Sequence, residues 1–177
     1  MRDAERSTAI EPSCSATFRL ADANRQLDFE EGTFDAIISI DAINHLEDRL
    51  SVLREFHRVL KPAGRLLFTD PITVTGILTR DEIATRSQIG PMNFTPLGEN
   101  EKLLQSAGFE VRRVQDVTAN AAITSGRRRD AREKYRAELV QIEGEPTFSD
   151  IQRFLTVAHQ LSSERRLSRL VFLAVKT

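Results

Sequence analysis

The chain has 177 residues, 40% of them apolar and 29% charged, which is enough for one domain with a real core. Its 25 basic and 26 acidic residues leave a net charge of −1, so nothing in the overall charge attracts nucleic acid or a membrane surface. The single cysteine, Cys14, excludes an internal disulfide and favours a reducing, cytoplasmic setting. No apolar run approaches the ~20 residues of a membrane span, and the N-terminus lacks a signal-peptide pattern.

Residues 1–15 are polar around Pro12 and read as a flexible tail or the stub of a helix, and residues 16–177 as a single domain. Residues 17–21 alternate weakly and predict a strand that ends at Asp22-Ala23-Asn24. Leu27, Phe29 and Phe34 bracket a turn at residues 30–33. Residues 36–40, Ala-Ile-Ile-Ser-Ile, are an apolar, β-branched run of the kind buried on both faces of a parallel sheet. From Asp48 the period changes, because Leu50, Leu53, Phe56, His57 and Leu60 recur at helical spacing. Lys61-Pro62 stops that helix, since the residue before a proline avoids the helical region. Ala63-Gly64 turns the chain, and residues 65–69 form a second strand. The whole is a βαβ unit with parallel strands.

Residues 72–94 are long for a simple connection and read as a lid or binding loop. Thr95-Pro96 signals a helix start, with Leu97, Leu103, Leu104 and Ala107 on its buried face and Gly108 as its C-terminal cap. Residues 109–114 form a strand. Residues 119–165 are helical, with Ala131, Tyr135, Leu139 and Ile142 as one apolar stripe. After a break at Gly144-Glu145-Pro146, Thr147 and Asp150 resemble a capping box. Phe148, Ile151, Leu155, Ala158 and Leu161 give the last helix its buried face. Residues 167–175 close the sheet.

Ligands of open α/β sheets sit outside the carboxyl ends of the strands. Both central strands end there on an acid, Asp41 and Asp70, and Asp41-Ala42-Ile43-Asn44-His45 forms the loop over that edge. His45 is the candidate proton acceptor, because an imidazole ordinarily titrates at about 6.5; the alternative is a histidine that only hydrogen-bonds the loop backbone. His57 reads as structural and His159 as a surface residue. Arg127-Arg128-Arg129, followed by Asp130 and Glu133, reads as a solvated helix face without the aromatic platform that nucleic acid needs. No His/Cys/Asp spacing suits a metal.

The segments FDAIISIDAINHL, REFHRVLKPAGRLLFTD and LLQSAGFEV resemble the class I S-adenosylmethionine-dependent methyltransferases of small-molecule type. That resemblance implies an α/β, Rossmann-like, mostly parallel sheet with helices on both faces and an antiparallel last strand, 167–175, with 109–114 at the edge. It also implies N-terminal truncation. The family begins with a strand, a glycine-rich turn, a helix and a second strand, whereas the nearest glycines here, Gly90 and Gly98, form no G-x-G.

Carried over by position, Asp22, Ala23, Asp41 and Ala42 would meet S-adenosyl-L-methionine, and Asn44 and His45 would face cofactor and substrate; in the family's layout Tyr135 would line the substrate pocket. The helical region 119–165 would cover the substrate. The implied activity is N- or O-methylation of a small molecule, impaired by loss of the glycine turn. A non-catalytic interaction module or remnant is the alternative, and a nicotinamide-dependent oxidoreductase is disfavoured by RVLKPAG and the missing fingerprint. Without its family neighbours the strand at 37–40 would expose an apolar edge, a template for a homo-oligomer.

Overall fold

Strand β1 (Phe34–Ser39), helix α1 (Arg49–Val59) and strand β2 (Leu60–Val74) follow one another as the periodicity predicts, and β1 pairs with β2 in parallel. The computed structural model describes residues 15–88 and 90–177; the readings of Cys14 and of the tail through residue 14 lie outside them. Helix α1 starts at Asp48, whose carboxylate accepts the Ser51 N–H at 3.0 Å, and buries Val52, Leu53, Phe56 and Val59. The RVLKPAG turn works through two residues. Ala63 takes φ +60°, and Gly64 lies so close to the Lys61 carbonyl that a Cβ there would sit 2.7 Å from its oxygen.

Beyond β2 come α2 (Arg80–Arg86), β3 (Thr95–Pro96), α3 (Glu99–Ser106), β4 (Phe109–Asp116), α4 (Thr118–Lys134), α5 (Arg136–Glu143), α6 (Glu145–Ser163) and β5 (Leu167–Lys176). The sheet order is β1-β2-β5-β4, with β3 added in parallel to β2. As the resemblance implies, β5 runs antiparallel between β2 and β4, and β4 is an edge. Register opposes Phe68 to Phe172, whose rings stack at 4.7 Å, a contact worth ~0.5–1.5 kcal/mol beyond the area it buries. Leu66, Phe109, Leu104 and the apolar face of α1 close the core around that pair.

Several sequence expectations are overturned. Residues 17–21 form no strand: they stay off the open edge of β1, and Leu20 is 96% exposed. Strand β1 is not buried on both faces: Ile38 is 71% exposed, and its outer edge has no partner among the described residues. Thr95 caps no helix. It belongs to β3, its hydroxyl is taken by Arg49, and α3 starts after Gly98 at φ +85°. Thr147 makes no capping box, since α6 has already begun at Glu145 behind Gly144. The stripe through Ala131, Tyr135, Leu139 and Ile142 does not enter the core, because the helix breaks at Tyr135 and no residue of α5 is buried. Gly108 does end α3, at φ +91° and against the His57 ring.

Candidate functional site

The site is built on the edge where β1 and β2 end. Asp41 turns the chain there with φ +49°, a left-handed conformation that Asp tolerates better than most residues. Its N–H donates to the Thr69 hydroxyl at 2.8 Å, and that hydroxyl donates back to Asp41 Oδ1 at 2.6 Å. From β5, Arg169 donates to both carboxylate oxygens, Nε at 3.1 Å and Nη2 at 2.9 Å. Two strands, β2 and β5, thus fix this one carboxylate.

The chain then makes a single 3₁₀ turn, Ile43–His45, with Ile43 and Asn44 buried. Residues 91–93 lie against it. Asn93 donates its N–H to the Asn44 carbonyl at 2.9 Å and its side-chain amide to the Leu46 carbonyl. His45 Nδ1 is 2.8 Å from the Pro91 carbonyl. A carbonyl only accepts, so Nδ1 carries the hydrogen, and in the neutral ring this leaves the lone pair on Nε2, the tautomer a proton acceptor requires. Asn44 is 1% exposed, yet neither its amide nitrogen nor its amide oxygen has a hydrogen-bond partner. Buried amides are rarely left so, and this one lines an open cavity.

Asp70, the other strand-end acid, is fully buried and committed elsewhere. Arg49 donates to it at 2.7 Å and Asn100 Nδ2 at 2.8 Å, and the same Arg49 nitrogen also reaches Thr95 and Asn100 Oδ1. This network clamps β2, β3 and α3 together. Asp70 is therefore architecture, a role the sequence left open.

The cavity beside the loop measures about 240 Å³. That is below the ~300–1,000 Å³ of sites for drug-sized ligands, so it suits a small ligand. Asp41, Asn44 and His45 form one wall, and α4 and α6 the opposite one through Thr124, Ser125, Phe154 and Leu155. The region between β2 and β3 adds Met92 and Arg86. Helix α2 presents Arg86 from a fixed base: Thr79 and Glu82 form a reciprocal capping box, and Arg166 donates twice to Glu82, at 2.9 and 2.7 Å. Those bonds hold the Glu82 carboxyl down at about 2. The Arg86 guanidinium lies 4.3 Å from the centre of the Phe154 ring. Burial pushes its pKa down to about 10, against the opposing pull of Asp41.

The structure therefore brings Asp41, Asn44 and His45 together, with exposed Ala42 between them. Asp22 and Ala23 lie off the cavity, along the flank of α1, where Asn24 Oδ1 accepts the Glu47 N–H at 2.8 Å. Tyr135 lies apart from them, 50% exposed at the α4–α5 break and outside the lining of the cavity. Arg127 and Arg128 are exposed, as a solvated helix face requires, with Arg128 also at the rim of the cavity, while Arg129 pairs with Asp130 at 2.8 Å. Arg86 and Arg169 carried no motif, and Thr69 was given no role within its segment; only the fold gathers them. Among the described residues no group of acids, histidines or cysteines could hold a metal, and no helix is long and apolar enough to cross a membrane.

Comparison with known proteins agrees with this architecture. Residues 1–68 match the sequence pattern of a methyltransferase domain. The chain is 29% identical over 143 residues to phosphoethanolamine N-methyltransferase 3 of Arabidopsis thaliana, covering 81% of this chain and 29% of that protein. To the methyltransferase GfsG of Streptomyces halstedii it is 36% identical over 123 residues, 66% of this chain and 42% of that one. It thus spans well under half the length of these relatives. The cyclopropane synthase MmaA2 of Mycobacterium tuberculosis superposes with a TM-score of 0.87 at 21% identity, over 98% of this chain and 65% of that one. Phosphoethanolamine N-methyltransferase 2 of Haemonchus contortus, solved with S-adenosyl-L-methionine, gives 0.74 at 23% identity, over 88% and 36%.

Proposed function

From a chain that resembles the class I S-adenosylmethionine-dependent methyltransferases in both sequence and fold, we propose methyl transfer to a small-molecule acceptor in the cavity beside residues 41–45. The observation that carries this reading is the unpartnered, buried amide of Asn44 next to a histidine held in its proton-accepting tautomer. Such a pair suits a polar ligand at a strand end.

The backbone of Asp41 and Ala42 would face S-adenosyl-L-methionine, which supplies an activated methyl carbon when bound. Asn44 would orient the acceptor, an amine or hydroxyl, and His45 Nε2 would accept the proton that the acceptor loses. Phe154 and Leu155 exclude water. Alignment of this kind supplies ~7–11 kcal/mol of the barrier in favourable cases, and a positioned base ~10²–10⁴-fold in rate. Asp22 and Ala23 would reach the cofactor only at its far end.

Because the 177 residues contain no G-x-G, cofactor binding by this chain alone is expected to be weak. The single cysteine supports a reducing, cytoplasmic setting. A second copy of the chain on the open edge of β1, where Ile38 and Ile40 are exposed, is the association this surface favours.

The test is calorimetry with S-adenosyl-L-methionine followed by methyl transfer to a panel of small amines and alcohols. Saturable binding with turnover is expected, with turnover falling ~10²–10⁴-fold in His45→Gln while cofactor binding is kept. Equal turnover in His45→Gln would remove the base from the mechanism. Cofactor binding too weak to detect, with no turnover, would leave only an interaction module.

A further inference from the structure

We infer that the acceptor carries an anionic group, a carboxylate or a phosphate, received by the Arg86 guanidinium with help from Arg128 and the Asn44 amide. This rests on reading the cavity as the acceptor site. Arg86 is 7% exposed, makes no hydrogen bond or ion pair among the described residues, and leaves its Nε without a partner. A guanidinium withdrawn from water and left unpaired is unfavourable, and folded chains seldom keep one without a use for it.

The carboxylate near enough to be felt, Asp41, is already engaged by Arg169 and Thr69. Arg86, Arg128 and Arg169 line the cavity against Asp41 alone, so two positive charges remain uncompensated there. A cationic ligand would be repelled by them, and a neutral one would leave Arg86 as it is. An anion satisfies it, because the planar fork of a guanidinium matches a carboxylate or a phosphate in two parallel hydrogen bonds. The fork is also held in place: the Phe154 ring covers its face, and the Glu82–Arg166 tie anchors the helix that carries it. The acceptor would therefore be a small molecule with an acid at the Arg86 end and a nucleophile at the His45 end.

The experiment titrates inorganic phosphate and, separately, acetate into the 177-residue chain and into Arg86→Met, Arg86→Lys and Arg113→Gln, following amide chemical shifts and melting temperature. Arg113 is exposed on β4 and serves as the remote control. Saturable binding is expected in the parent and in Arg113→Gln, partial binding in Arg86→Lys, and at least ~10-fold weaker binding in Arg86→Met. The stronger of the two probes identifies the acid. Without anion, Arg86→Met is expected to melt no lower than the parent, an outcome that a packing role for Arg86 would not give. Absence of saturable binding in the parent would overturn the inference, and so would equal binding by Arg86→Met. Repeating the titration with S-adenosylhomocysteine separates the two readings. Nucleoside binding without an anion site ends this inference alone, and an anion site without nucleoside binding ends the methyl-transfer reading.

Discussion

Arg49 and Arg86 are buried to the same degree, each 7% exposed, yet their surroundings differ in every other respect. Arg49 sits in a closed network in which Asp70, Thr95, Asn100 and the Asn93 carbonyl take its donors. Arg86 meets an aromatic face, an already committed carboxylate and an open cavity. A buried charge with its partners in place joins strands; one without them marks where a ligand belongs. Arg49 fixes the loop at residues 91–93 through Asn93, and that loop in turn fixes His45 through Pro91. The satisfied arginine thus builds the wall against which the unsatisfied one works.

Removing either arginine breaks that contrast most sharply. Arg49→Ala leaves Asp70 buried and uncompensated, and is expected to cost ~3–5 kcal/mol in denaturant unfolding. A loss below ~1 kcal/mol would show that the network is not what joins β2 to α3. Arg86→Met is expected to be neutral or stabilising in the same measurement, because it removes a charge that has no partner.

A smaller effect sharpens the picture of Asp41. The Asp41–Arg169 pair is partly open to solvent, with side chains 40% and 28% exposed, so screening lowers its worth. A double-mutant cycle of Asp41→Asn and Arg169→Met should return a coupling of ~0.5–1 kcal/mol, and zero coupling would mean that Asp41 is free for a ligand.

The smallest expected effect lies at His57, partly buried near the end of α1. Burial against Phe109 holds the His57 imidazole below its usual 6.5, and Lys176 pushes it the same way. The unfolded chain therefore takes up the proton first. Stability should be flat above pH 6.5 and fall as pH drops from 6.5 toward the lowered folded value. In His57→Gln that part of the decline should vanish; an unchanged pH profile would refute the assignment.

The βαβ unit from Phe34 to Asp70 was legible because its signals are local: a β-branched run, a capped amphipathic helix and a Pro-Ala-Gly turn all act within a few residues. The loop Asp41–His45 was legible for the same reason, since strand ends over such a sheet are a fixed address. Arg49, Arg86 and Arg169 were not. Each acquires its meaning from groups distant in the chain; Arg169 and Asp41, for instance, are 128 residues apart. Thr95 and Thr147 misled because threonine before a proline or an acid suits a cap in isolation, whereas Thr95 is drawn into the Arg49 network and Thr147 falls inside a helix already begun. Residues 17–21 alternate as a strand would, but alternation supplies no neighbour to pair with.

Amide chemical-shift mapping of the 177-residue chain during titration with S-adenosyl-L-methionine bears most directly on the site, because it detects weak binding and locates it. Shifts concentrated from Ser39 to Leu46, spreading to residues 91–93, are the expected result. Saturating cofactor that leaves those amides unmoved, or moves only amides remote from that edge of the sheet, would contradict the assignment of the loop as the floor of a methyl-transfer site.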